Sequence, residues 1–267
     1  MTTNQKYNIN NLISLWKTVA QAFQNYIEQK SFSYCPILDS EWPNRIWLNE
    51  RNLSINSQPR FYTIKQVLDA DENIKEKVFQ TIAEVMKDSK IPLSLSYWSD
   101  FENTQHSVIE KIGLVKKSEQ IGMSLVFDQK FESINRISLK RIDNENEAML
   151  WSDIYPQSFG YKISSEILMR TKQPISYYLV YLGQKPIGTV ITYETRSVIG
   201  IHGLGIIPEF RKQGFAEEVM VLLINGAIDK KIKTATLQSS RLGKNIYLKM
   251  GFKEDFLMTN YVLATTK

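Results

Sequence analysis

The sequence is poor in residues that mark secreted, membrane-spanning or metal-dependent proteins. It has one cysteine, Cys35, and two histidines in 267 residues. A single cysteine cannot form an internal disulfide, and the polar segment Met1–Ile13 lacks the basic, apolar and small-residue succession of a signal peptide. No run of about eighteen apolar residues occurs, so no membrane span is expected. We therefore predict a cytoplasmic protein that is not bound to a membrane.

Two further shortages are confined to residues 1–130. This half contains two glycines, Gly113 and Gly122, while the other ten of the chain's 12 glycines follow it. It also carries no net charge, so the second half, residues 131–267, supplies the whole +5. A basic, glycine-containing half suits an anionic ligand that approaches the backbone closely. Because no Lys/Arg run is interleaved with aromatics, we expect no nucleic-acid partner.

Hydrophobic periodicity predicts mixed helices and strands in both halves, with a linker at 128–135. For the first half the predicted helices are 10–27, 74–87 and 103–112, and the predicted strands are 92–98 and 122–127, after an extended region at 32–47. For the second half the predicted helices are 145–154, 164–171, 214–229 and 244–250, and the predicted strands are 137–142, 177–181, 186–194, 197–207, 234–238 and 256–264. The alternation indicates an α/β or α+β fold with helices on both sheet faces.

The two halves share a short internal similarity. Glu110–Leu114 reads EKIGL, and Leu248–Phe252 reads LKMGF, at an offset of 138 positions. In both places a long helix, a short strand, a helix, a glycine and a final strand follow in order. This pattern predicts a tandem duplication with a diverged first copy.

The segment Leu204–Glu217 has the features of a phosphate-binding turn. A predicted strand ends at Pro208, which cannot donate to a ladder, and a turn containing Gly214 leads into a helix. The backbone N–H groups of Lys212–Ala216 are then free at a helix N-terminus, where the helix dipole favours an anion. The small Gly214 and the neighbouring Arg211 and Lys212 fit such a ligand.

This segment resembles the acetyl-CoA site of the GNAT superfamily of N-acetyltransferases. The family's Arg/Gln-x-x-Gly-x-Gly/Ala pattern appears as Arg211, Gly214 and Ala216, and Ile246–Phe252 resembles its closing segment. The resemblance covers 137–264 and implies two GNAT-like domains, each with a mixed, mostly antiparallel sheet: 1–130, degenerate and without a cofactor site, and 131–267. The cofactor residues that it implies are Leu204, Gly205, Ile206, Arg211, Lys212, Gln213, Gly214, Phe215, Ala216, Glu217 and Ser240.

The catalytic residues follow from the same resemblance and from the chemistry of acetyl transfer. A phenol can protonate the departing CoA thiolate, and family members use a tyrosine at the position of Tyr247. The alternative is that Tyr247 only packs on the cofactor. Relatives often carry Asn where this chain has Ser240, which puts that pantetheine contact in question.

The general base has two candidates. His202 has a suitable pKa range and, by simple alternation, shares a strand face with Leu204 and Ile206. Glu194 on the preceding strand is the second candidate, and a water chain is the third route. Some relatives carry glutamate at the position of Gly200. A Cys35 nucleophile paired with His106 or His202 is a weaker alternative, because no activating charge is near Cys35.

The first half lacks the features of the cofactor site. The offset places Ile109 opposite Tyr247, and the entry to its long helix, Asp71–Ile74, is acidic and would repel a pyrophosphate. Trp42, Trp47 and Trp98 are assigned to its core or to its interface with the second half. In the second half, the resemblance places four aromatic residues beside the acceptor site: Trp151, Tyr155, Phe159 and Tyr161.

The sequence therefore predicts an N-acetyltransferase. It would move an acetyl group from acetyl-CoA to a primary amine, of a small molecule or a peptide, by direct attack in a ternary complex. No metal is required, since no His/Cys/Asp/Glu cluster at ligand spacing is visible. The chain would be a monomer or homodimer. The alternatives are a non-catalytic CoA-binding or regulatory module and a ligase that uses aminoacyl-tRNA.

Overall fold

A computed structural model describes residues 1–49, 72–102 and 107–264 of the chain; the side chains of 72–74 are not described. The helices are α1 (Thr3–Ala22), α2 (Glu72–Asp88), α3 (Ser107–Lys111), α4 (Glu145–Phe159), α5 (Ser165–Thr171), α6 (Phe215–Asp229) and α7 (Lys244–Lys249), with a 3-10 turn at Pro208–Phe210. The strands are β1 (Ile27–Glu28), β2 (Phe32–Cys35), β3 (Arg45–Leu48), β4 (Ser94–Ser99), β5 (Leu114–Val126), β6 (Ile137–Arg141), β7 (Ile175–Leu182), β8 (Lys185–Thr195), β9 (Val198–Ile206), β10 (Thr234–Ser239) and β11 (Lys253–Leu263).

All described strands belong to one sheet in the order β1-β2-β3-β4-β11-β5-β10-β9-β8-β7-β6. Most pairs are antiparallel, and the two parallel pairs are β3–β4 and β9–β10. The predicted mixed, mostly antiparallel sheet flanked by helices is confirmed. No helix in the described ranges is long and apolar enough to cross a membrane.

Strands of the two halves are interleaved at the centre of this sheet. The last strand, β11, lies between β4 and β5 of the first half, while β5 lies between β11 and β10 of the second half. The order α2-β4-α3-β5 also repeats as α6-β10-α7-β11. The segment between β5 and β6, where residue 130 lies, has no regular structure. Each half therefore completes the sheet of the other, because its last strand pairs with two strands across the centre.

Three buried clusters flank the sheet. One joins α1 to α4, α5 and the tryptophans Trp42, Trp47 and Trp98. A second lies between α6 and β5–β11, and the third lies between α2 and β2–β5. Since the first cluster contains residues from both halves, the three tryptophans belong to a core that is also the interface between them.

Several element boundaries differ from the predictions. Helix α1 begins at Thr3 rather than residue 10, because Thr2 and Gln5 form a capping box that stabilises a polar first turn. Strand β5 begins at Leu114 rather than residue 122, since pairing with β11 holds its polar part in extended form. Part of the predicted helix 103–112, with His106, and Asp71 in the acidic helix entry lie outside the described residues.

Candidate functional site

Strands β9 and β10 separate along their length and leave a cleft in the middle of the sheet. They pair only between Val198–Gly200 and Thr234–Thr236. Beyond this point β9 continues with β8, and β10 continues with β5. The backbone of His202–Ile206 therefore has no strand neighbour on its β10 side. Such an edge can hold an extended ligand through main-chain hydrogen bonds.

A β-bulge in β9 changes which side chains face each side of this cleft. The register with β8 shifts between Thr189 and Ile191, and Gly203 has a left-handed φ of 53°. One extra residue in β9 reverses the alternation of side chains after it. Consequently Leu204 packs against the buried cluster between α6 and the sheet, whereas His202 faces α1. The prediction that His202 shares a face with Leu204 and Ile206 is wrong for this reason.

The loop after β9 forms an open turn at the wide end of the cleft. Lys212 and Gly214 both have left-handed φ values, 61° and 84°. Gly214 is the N-cap of α6, and no side chain caps the helix. The loop from Arg211 to Gly214 is exposed. First-turn N–H groups, including those of Phe215, Ala216 and Glu217, are thus available to an anion at the positive end of the helix dipole.

Two arginines hold this loop, and only one was identified from the sequence. Arg211 Nε donates to Ile206 O at 2.9 Å, so its side chain ties the loop back to β9. Arg136 binds the buried carboxylate of Glu218 through its backbone N at 2.5 Å and Nε at 2.9 Å. Its guanidinium also lies 4.7 Å from the centre of the Phe215 ring. Arg136 thereby adds a cation beside the helix N-terminus, far from the loop in sequence.

Tyr247 and Ser240 follow β10 at the same wide end of the cleft. Tyr247 lies on α7 with its ring 5.8 Å from that of Phe252. Burial raises the pKa of Tyr247 to about 12, so its hydroxyl is protonated at neutral pH. No hydrogen bond to this hydroxyl occurs among the described residues. Ser240 Oγ accepts from Gly243 N at 3.2 Å and thus stabilises the turn before α7.

His202 is not placed to act as a base. Its Nδ1 lies 3.1 Å from Gln238 Oε1, and its Nε2 lies 3.0 Å from Asn11 Oδ1. Burial lowers the pKa of His202 to about 4. Asn11 also occupies the space beside Gly200, because a Cβ there would lie 1.8 Å from Asn11 Oδ1. Helix α1 therefore fills the region from which a histidine or a residue at position 200 would act.

The other two chemical candidates also lie away from the cleft. Glu194 pairs with Ile199 in the sheet, at the closed end, about 17 Å along β9 from Leu204. Its carboxylate forms an ion pair with Lys230 at 2.5 Å. Cys35 is fully buried, and burial raises the pKa of its thiol to about 12. Neither fits the role considered for it, since strand register and burial keep both from the open part of β9.

The predicted aromatic residues of α4 and the turn after it form one wall of the cleft. Tyr155 stacks between Trp151 and Phe159, with ring centres 4.8 and 4.4 Å away, and its hydroxyl lies 2.5 Å from that of Tyr161. A Cβ on Gly203 would lie 3.1 Å from the Tyr155 ring. The bulge of β9 is thus in direct contact with this wall.

The sheet separates at β9–β10, and the wide end of this cleft carries the uncapped start of α6 and a protonated tyrosine. Residues 138–252 match the model of the acetyltransferase (GNAT) family. The chain therefore carries a GNAT acetyltransferase domain in its second half and is an acyltransferase. Among curated proteins, no sequence matches this chain significantly.

Two solved structures resemble most of the chain rather than the second half alone. A GCN5-related N-acetyltransferase from Kribbella flavida has a TM-score of 0.62 at 13% identity, with 94% of this chain and 95% of that chain covered. One from Sphaerobacter thermophilus has a TM-score of 0.63 at 13% identity, with coverages of 86% and 76%. At this identity the similarity shows a shared fold.

Proposed function

We propose that this acyltransferase moves an acetyl group from acetyl-CoA to a primary amine, with both bound in a ternary complex. The observation that carries the proposal is the cleft between β9 and β10, which has the uncapped start of α6 on one side and Tyr247 on the other. A long ligand with a phosphate end and a thioester end fits this arrangement.

The proposed cofactor contacts are mainly to the backbone. The backbone of Leu204, Gly205 and Ile206 would form hydrogen bonds to the pantetheine arm, which would lie beside β9 like an additional strand. The N–H groups of Lys212–Glu217 would bind the pyrophosphate, and Arg136 would add charge beside them. Arg211 would act by holding the loop, because its Nε is bonded to Ile206 O. Ser240 would shape the turn before Tyr247.

The proposed reaction is a direct acyl transfer. The amine nitrogen attacks the thioester carbonyl carbon, and a C–N bond forms. Backbone N–H groups near the Gly203 bulge stabilise the oxyanion. The C–S bond then breaks, the Tyr247 hydroxyl gives its proton to the thiolate, and solvent water takes the proton from the amine. Water serves as the base because His202 and Glu194 are held elsewhere.

The first half would have a structural role, because it would complete the sheet of the catalytic half without taking part in the reaction. Its α3–β5 segment corresponds by offset to α7–β11, and Ile109 is buried where Tyr247 stands in the second copy. We propose a tandem duplication in which only the second copy keeps the cofactor turn. The first copy contributes β5 to the cofactor sheet and α1 to its cover.

Two measurements on the 267-residue chain test the proposal. Calorimetric titration with acetyl-CoA should give binding at micromolar concentration. A thiol assay with a panel of amines should then detect CoA release that depends on the amine. Binding without release for any amine would favour a non-catalytic CoA-binding module, and absence of binding at millimolar acetyl-CoA would refute the cofactor assignment.

A further inference from the structure

A buried arginine from the first half lies behind the aromatic wall of the cleft. Arg45 is the first residue of β3, beside Cys35 in the sheet. Its guanidinium is within electrostatic reach of the hydroxyls of Tyr155 and Tyr161. The bulge of β9, Tyr155, Tyr161 and Arg45 thus form a continuous series of neighbours. The first half therefore places a positive charge close to the region where the acceptor would bind.

The charge of Arg45 has no counter-ion among the described residues. Arg45 forms no ion pair or side-chain hydrogen bond with any residue that the structure describes, and its Nε is buried without a partner. Glu41 lies in the same region, but its Oε2 accepts from Lys162 N at 2.8 Å. Burial lowers the pKa of Arg45, yet an arginine stays charged at neutral pH. An unpaired buried charge destabilises a fold, so its retention needs another explanation.

Arg45 is partly exposed, so a ligand can reach part of its side chain. Its Nε is buried and has no hydrogen-bond partner, while other atoms of the residue remain open to solvent. The neighbouring Tyr155 and Tyr161 hydroxyls lie 2.5 Å apart, so one donates its proton to the other. The proton of the second hydroxyl remains available to a ligand. A guanidinium with a nearby hydroxyl donor matches the oxygens of a carboxylate or phosphate.

We propose that Arg45, with the Tyr155–Tyr161 pair, binds an oxyanion on the acceptor, so that the preferred acceptors are amines that also carry a carboxylate or phosphate. This inference rests on the proposed acetyl transfer. It gives the first half a role in substrate choice. Polyamines and other purely cationic amines would be poor acceptors, because a buried positive charge repels them.

Binding of simple probes tests the Arg45 site without any turnover. N-acetylglycine, which combines a product-like amide with a carboxylate, should raise the Tm of the wild-type chain, and N-acetylglycinamide should not. Inorganic phosphate in a separate arm distinguishes a phosphate site from a carboxylate site. Only the part of its Tm shift that Arg45→Gln removes counts, because the start of α6 would also bind phosphate. Arg45→Gln should abolish the shift, while Arg170→Gln on the exposed face of α5 should keep it.

Stability separates a ligand-binding arginine from a structural one. If Arg45 is held unpaired for binding, Arg45→Met should leave Tm unchanged or raise it by about 2–4 °C. A structural arginine would behave oppositely, with a fall in Tm. A fall in Tm together with an unchanged N-acetylglycine shift would overturn the inference.

Steady-state kinetics supply the decisive comparison. For the matched acceptors glycine, aminomethylphosphonate and glycinamide, Arg45→Gln should raise KM for the two that carry an anionic group by about 10- to 100-fold. It should leave KM for glycinamide unchanged. Equal effects on all acceptors, or none, would overturn the inference while acetyl transfer stands. Failure of acetyl-CoA to bind would instead refute the proposed function, and the Tm shifts with the probes would still test the Arg45 site.

Discussion

The Nε2 atom of His202 lies 3.0 Å from Oδ1 of Asn11, which joins the N-terminal helix to the strand that leads into the cofactor turn. Asn11 Nδ2 donates to Tyr193 O at 2.9 Å, and this fixes its oxygen toward the imidazole. On the other side Gln238 Nε2 donates to Asn8 Oδ1, so Gln238 also presents its oxygen. A neutral imidazole donates to only one of these two oxygens. Burial nevertheless keeps it neutral at pH 7.

The pKa of His202 predicts a loss of stability in mild acid. Burial lowers this pKa to about 4, against about 6.5 in the unfolded chain. Between these values the unfolded state binds more protons, so the free energy of unfolding should fall as pH decreases from about 6.5 to 4, by about 3 kcal/mol in all. Urea titrations at several pH values measure this slope. His202→Gln should flatten it, and an equal slope in that variant would assign it to other groups.

Tyr247→Phe should slow the reaction and leave cofactor binding intact. The ring contact with Phe252 remains, but no proton is available for the thiolate, so kcat should fall about 100-fold or more. Because the pKa of Tyr247 is about 12, the wild type should lose none of this acid function below about pH 10. Tyr178→Phe on β7 is the matched control. An unchanged kcat in Tyr247→Phe would leave the residue only a packing role.

Gly214→Ala should weaken acetyl-CoA binding. The φ of Gly214 is 84° and that of Gly113 is 86°, so alanine at either position carries a similar left-handed penalty of about 1–2 kcal/mol. Only Gly214 stands where the pyrophosphate would approach the backbone. Isothermal titration should show Kd raised about tenfold or more, which is 1.4 kcal/mol, in Gly214→Ala but not in Gly113→Ala. Equal Kd values would place the phosphates elsewhere.

The thiol of Cys35 should be unreactive in the folded chain. Burial raises its pKa to about 12, so almost no thiolate is present at pH 8. Iodoacetamide should modify the chain only after denaturant unfolds it, and mass spectrometry would report a single addition, since Cys35 is the chain's only cysteine. Rapid modification without denaturant, accompanied by loss of activity, would show that Cys35 has a functional role.

Residues 131–267 alone should not fold stably. Without β5, the edges of β10 and β11 that it covers would be exposed, and unpaired edges aggregate. Co-expression of 1–130 with 131–267 should restore a soluble complex that binds acetyl-CoA. A cooperative melting transition and acetyl-CoA binding for 131–267 alone would instead show that the second half is an autonomous domain.

The local elements of the second half could be predicted from the sequence because short-range geometry determines them. Gly183 in the turn between β7 and β8, Pro208 after β9 and Gly214 before α6 each act within a few residues. Apolar periodicity identified α6 and α2 for the same reason. Periodicity missed residues 3–9 of α1 and the polar part of β5, where a capping box and a distant partner strand stabilise the backbone.

The sequence by itself determined the turn that would hold the phosphates, the position of Tyr247 after it, and the acyltransferase class. Only the tertiary structure decided that β5 and β11 are interleaved and that the Gly203 bulge turns His202 toward α1. It also decided that Arg136 stands beside the cleft and Arg45 behind its aromatic wall. The physical reason is that turns and caps depend on neighbouring dihedral angles. Strand order, a reversed strand face and an unpaired buried charge depend on groups that folding brings together from distant parts of the chain.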